Sequence, residues 1–165
     1  MNEIAVAGNP QQRGRAIGAA TAVPIHEFLA EGVARLSWIG GAPVDRDLLQ
    51  PAIKAHAEVV ENTLPDIAAA VRGLAEGARI RLEDAWLLQL RRELQPIAAA
   101  DCTTLAGPGW LSQTVDLAGN LSEHALVLRE RSHAGEVVHL TFTGLLGYLG
   151  MNNRGLAVGI NMVMS

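Results

Sequence analysis

The sequence predicts an α+β fold with helices first and a mostly antiparallel sheet second. Three observations predict it. Apolar residues recur at helical spacing up to about residue 100, the period changes to an alternating one after residue 101, and glycine and proline turns separate the segments. At 165 residues the chain is long enough for one domain with a real core, without repeats or low-complexity tracts.

Residues 4–7 form a candidate short strand, Ile4-Ala5-Val6-Ala7. From Gln11 to about Ile39 the chain is Ala-rich, with Phe28, Leu29, Val33 and Leu36 at helical spacing. After the Gly40–Pro43 turn, Asp45 or Asp47 offers a cap for a helix placing Leu49, Ile53, His56 and Val60 on one face. Thr63-Leu64-Pro65-Asp66 reads as the next helix start, Ile67, Val71 and Leu74 continue it, and Gly77 is its expected stop. A fourth helix is expected from about Glu83 to Leu94, ended by Pro96.

Beyond residue 101, Glu136–Thr143 alternates with Val138, Leu140 and Phe142 on one face, and pairs in a predicted hairpin with 125–131 across a Ser132–Gly135 turn. Segments 145–151 and 156–164 flank the turn-rich Asn152-Asn153-Arg154-Gly155.

Composition narrows the function classes. Hydrophobic residues make up 49% and charged residues 18%, which excludes a solvating or disordered chain. Net charge is −4 without a Lys/Arg cluster, so no nucleic-acid footprint is present. No apolar run approaches the roughly 20 residues of a membrane span, and the start lacks a signal-peptide pattern, so a cytoplasmic protein without a membrane partner is expected. A single cysteine excludes an internal disulfide, and Asn120-Leu121-Ser122 carries no weight as a glycosylation sequon without a secretory signal. The glycines of 145–150 lack phosphate-loop spacing. Scattered histidines without a second cysteine argue against zinc, so neither metal nor cofactor is expected.

That cysteine, Cys102, stands where the period changes, after the small residues of 98–100 and Asp101, and opens the strand-like Cys102-Thr103-Thr104-Leu105. A buried core cysteine is the plain reading. The chemical reading begins with a cut between Asp101 and Cys102. It would leave Cys102 with an α-amine of pKa about 7.7–8.0 next to its own thiol. One residue then supplies nucleophile and general base, without any of the five histidines. An aspartate in a downstream strand, such as Asp116, would orient the amine.

Four segments then carry a family resemblance. They are Gly8-Asn9-Pro10 with Gly14 and Gly18; Arg91 and Glu93 as an R-x-E late in the last helix; Asp101-Cys102-Thr103-Thr104; and Gly150 through Val158 on to Asn161. Together they resemble the acyl-coenzyme A:6-aminopenicillanic-acid acyltransferase family, the cysteine N-terminal-nucleophile (Ntn) hydrolases related to penicillin acyltransferase. The resemblance implies an αββα sandwich, incomplete in this chain, with residues 1–101 as a helical pre-cleavage part and 102–165 as the start of the β chain.

It further implies self-cleavage at Asp101–Cys102, Cys102 as nucleophile, Asp116 as its support, and the Asn161 backbone N–H near the oxyanion. Thr103, Thr104, Arg91 and Glu93 are implied helpers. The implied substrate is a small acyl amide or acyl-CoA, with self-association or an α/β heterodimer after processing. Thr114 and Val115 stand where the family has asparagine and tryptophan, and Ile17 where many members have histidine.

Each signal has a plainer reading beside it. Gly8–Pro10 is a turn before a helix, Arg91 and Glu93 a solvated or ion-paired face, Thr103 and Thr104 strand residues, and Asn152 and Asn153 turn residues. Trp38, Trp86 and Trp110 are expected in the core or lining a pocket. Two alternatives stay open: a non-catalytic relative acting as a binding or assembly module, and a conventional cysteine hydrolase using an internal histidine such as His139.

Overall fold

The structure, a computed structural model, describes residues 2–94, 102–116 and 119–161. β1 (Asn2–Ala7) leads into α1 (Pro10–Ala20). At the join, Asn9 Oδ1 accepts from the Gln12 amide at 2.9 Å and the Gln12 side chain accepts from the Asn9 amide at 2.9 Å. Gly8-Asn9-Pro10 is thus a complete capping box with proline in the first turn, a helix start by construction.

α1 lies directly on α5 (Pro65–Ala78). Gly14 and Gly18 face the backbone of Ala70 and Leu74, while Gly73 and Gly77 face that of Gln11 and Arg15. A Cβ at any of these glycines would enter a neighbouring peptide group, so the four-residue glycine spacing on both helices brings them to backbone contact. Gly77 is therefore a packing residue. The helix runs past it to Ala78 and stops at Arg79, which adopts a left-handed conformation at φ 56°.

The Ala-rich stretch is broken into pieces. α2 (Ala22–Ala30) and α3 (Gly32–Gly40) meet at a left-handed turn in which Val33, Ala34 and Arg35 have φ of 49°, 54° and 61°. Three consecutive L-residues in this region persist only under strong outside constraint. The Arg91 side chain supplies part of it by donating from Nε to the Ala34 carbonyl at 2.7 Å.

α4 (Arg46–Thr63) is capped by Asp45, which accepts from the Asp47 amide at 2.9 Å. It buries Ile53 and Ala57, leaving His56 exposed outside the expected face. Thr63 ends α4 and donates to the Val59 carbonyl at 2.7 Å, so it does not cap α5, whose start Leu64 has no side-chain cap. α6 (Leu82–Gln89) is shorter than expected and gives way to turns through residue 94. Pro96 lies outside the described residues.

β2 (Thr104–Gly107) and β3 (Trp110–Gln113) form a separate two-stranded hairpin. β4 (Ala125–Ser132), β5 (Gly135–Phe142), β6 (Leu149–Asn152) and β7 (Ala157–Val158) join β1 in a five-stranded sheet of order β1-β4-β5-β6-β7. The predicted hairpin is present in register, from Ala125 opposite Phe142 to Ser132 opposite Gly135. The sheet is mixed, because β1 pairs parallel with β4 across the intervening helices, as a parallel neighbour requires a long crossover.

Helices cover one face, where Val6, Leu126 and Leu128 join Ile25, Phe28, Val71, Leu74 and Leu87 in the core. The opposite face carries Val127, Val138 and Leu140, all half-buried, and Met151, which is exposed. Among the described residues this is one helical layer on one mixed sheet, an α+β arrangement. Trp86 is in the core, Trp38 lines a shallow surface cleft, and Trp110 is exposed against Gly107 of its own hairpin, outside the expected setting. No helix among the described residues is long and apolar enough to cross a membrane.

Candidate active site

The β2–β3 hairpin extends beyond its ladder toward Cys102. The Thr114 amide donates to the Thr103 carbonyl at 2.9 Å, and the Thr103 amide donates to Thr114 Oγ1 at 2.9 Å. The ladder itself ends with Thr104 opposite Gln113, and Cys102 and Asp116 lie just outside the two strands. Cys102 is half-buried, and Asp116 is exposed, without a hydrogen bond or ion pair among the described residues. Asp101, and with it the expected cleavage bond, lies outside those residues.

Side chains fasten the hairpin to the strand after β7. Asn161 Nδ2 donates to Thr104 Oγ1 at 2.9 Å. Gln113 grips the Ile160 backbone in both directions, accepting from its amide at 2.9 Å and donating to its carbonyl. Thr104, two positions after Cys102, and Asn161, both expected site residues, are therefore joined through their side chains, whereas the expectation for Asn161 concerned its backbone N–H. Gln113, which the sequence reading gave no role, completes the clamp.

Tyr148, also passed over by the sequence reading, stands against Cys102. Burial first, and then interaction with the Cys102 side chain, raise the Tyr148 hydroxyl above its ordinary value, against the opposing pull of Arg92. It therefore stays protonated. Tyr148 also lines a groove of about 320 Å³ with Val137, His139, Met151, Leu156 and Val158. Its walls are largely aliphatic, the lining that receives an apolar ligand.

His139 is the titratable imidazole of this groove. Its Nδ1 edge lies against Gly147 and Gly150, whose missing side chains leave room for the ring. Its Nε2 lies 3.3 Å from Glu130 Oε1, while Arg13 Nε donates to Glu130 Oε2 at 2.6 Å. Burial pushes the Glu130 carboxyl up, but His139 and Arg13 together outweigh it and hold it below the ordinary carboxylate range.

The remaining expected residues are dispersed. Arg91 is buried rather than solvated, under the strained turn at Ala34 and near the Phe28 ring. Burial and the charge of Arg35 lower its pKa to about 10. Glu93 is exposed. The arginine within electrostatic reach of Tyr148 is the next residue, Arg92. No protein-family model and no curated protein matches this chain.

Proposed function

We propose that this chain is the precursor of an N-terminal-nucleophile cysteine amidohydrolase or acyltransferase, acting through a Cys102 thioester on an apolar acyl amide or acyl-CoA. The observation that carries the reading is half-buried Cys102 in interaction with Tyr148, a residue that itself lines an apolar groove. A purely structural cysteine would need neither. In the αββα frame this reading adopts, the half-open sheet face with Val127, Val138 and Leu140 is the one a second sheet would cover.

Activation follows from the chain itself. Cys102 Sγ attacks the Asp101 carbonyl, the peptide nitrogen takes up a proton and leaves as the Cys102 α-amine, and water opens the thioester to a carboxylate. In turnover that amine accepts the thiol proton, sulfur attacks the substrate carbonyl, and the amine returns the proton to the leaving group. Tyr148 donates toward the sulfur, and the groove holds the acyl chain. Asp116, just beyond β3, is the group this reading assigns to steady the amine.

Intact-mass spectrometry of the purified chain tests this reading. Two fragments are expected, the second beginning at Cys102, and Cys102→Ala should leave one uncut chain without labelling by an electrophilic acyl probe. A cut that persists in Cys102→Ala ends the proposal.

A second reading rests on a different observation, the groove-facing His139 held by Glu130. Here the imidazole is the base for Cys102 and no backbone cut is needed. An uncut chain whose acyl labelling survives in the parent and is lost in His139→Ala would select it.

A further inference from the structure

We propose that Glu31, Glu123 and His124 form a binding site for a divalent transition metal of the zinc class, remote in function from Cys102. Glu31 joins α2 to α3, and Glu123 and His124 lie in the 3-10 turn (Ser122–His124) that precedes β4. One ligand atom from each lies within 4.8 Å of the others.

An acidic cluster alone would mean little; the histidine decides. His124 is about nine-tenths buried, and its Nε2 is a buried nitrogen without a hydrogen-bond partner. A buried polar atom left in this way is costly unless something binds it. The ring packs on Phe28, 4.3 Å away centroid to centroid.

Spacing points the same way. His124 Nε2 lies 3.7 Å from Glu31 Oε2, too far for a hydrogen bond. Two ligand atoms bound at about 2.0–2.1 Å to one tetrahedral ion stand about 3.4 Å apart.

Arg35 supplies the outer shell. Its Nε donates to Glu31 Oε2 at 2.6 Å, another nitrogen bonds Glu123, and the same guanidinium holds the Asn120 carbonyl. Both carboxylates are thereby oriented while each keeps free lone pairs, the role hydrogen-bonded neighbours play around metal ligands. The arginine charge weakens a cation nearby, so micromolar rather than nanomolar affinity is expected. Beyond the three ligands, a pocket of about 380 Å³ reaching Asn2, Thr21 and Glu27 leaves the fourth position open to water or a small ligand.

The test is titration of the tag-free, chelator-treated full chain with cobalt(II), read by visible absorption, and with zinc(II), read by calorimetry. One equivalent with the intense bands of four-coordinate cobalt is expected. His124→Ala and Glu123→Gln should each weaken binding at least about tenfold, while His56→Ala, on the exposed side of α4, should leave it unchanged. Glu123 is largely exposed, so its variant keeps the inference testable if the buried histidine is needed for folding. No cobalt bands, or binding that Glu123→Gln leaves untouched, would overturn the site.

Discussion

Tyr148 is the only tyrosine in the chain, which makes its contact with Cys102 directly measurable. Burial and the thiol both raise its hydroxyl pKa. An ultraviolet titration should therefore place its midpoint above the ordinary value of about 10. In Cys102→Ala the burial remains but the sulfur is gone, so the midpoint should fall while staying above the ordinary value. An unchanged midpoint would remove Tyr148 from the site. At this scale the sequence reveals Cys102, because a lone cysteine between two periodicities stands out. Tyr148, Glu130 and Gln113 were silent, since each gains its meaning from a partner far along the chain. For Arg91 the solvated-face alternative fails: it is buried and satisfies a carbonyl in a strained turn.

Among the elements, the α1–α5 contact depends on glycines that have no substitute. Gly73→Ala would gain about 1 kcal/mol of helix propensity, but its methyl meets the Gln11 carbonyl group on a neighbouring helix. Such overpacking against backbone outweighs that gain, with a net loss of about 1–3 kcal/mol expected in chemical denaturation. Gly40→Ala, with open space around its Cβ position, should stay within about 0.5 kcal/mol of the parent. The strand pair β4–β5 was legible to the residue because alternation and turn chemistry agree on one register. Helix ends were less so. Thr63 has the composition of a cap, yet its hydroxyl is spent one turn back on Val59. The break at Thr21 has Pro24 in the first turn after it and the break at 31–35 has Gly32, but neither interrupts the apolar helical spacing. The metal ligands were hidden in the same way, since Glu31 meets His124 only when α2 is laid against the entry to β4.

At the scale of the whole molecule, Glu130 connects the layers. It sits on β4, pairs with Arg13 from the helical layer, and faces His139 on the neighbouring strand, the two charged or titratable groups beside it. Its folded pKa lies below its unfolded one. The stabilisation it provides is therefore complete above the unfolded carboxylate pKa of about 4.3, and is lost as pH falls through the lower folded value. Glu130→Gln keeps the shape and removes the charge. It should lower stability by about 1 kcal/mol at pH 7, the cost of leaving half-buried Arg13 and His139 with a weaker partner. The gap between parent and variant in urea denaturation should hold from pH 7 to about 5 and close below pH 4. A gap that widens on acidification would mean that the carboxyl is protonated in the fold, and that α1 is held to the sheet by packing alone.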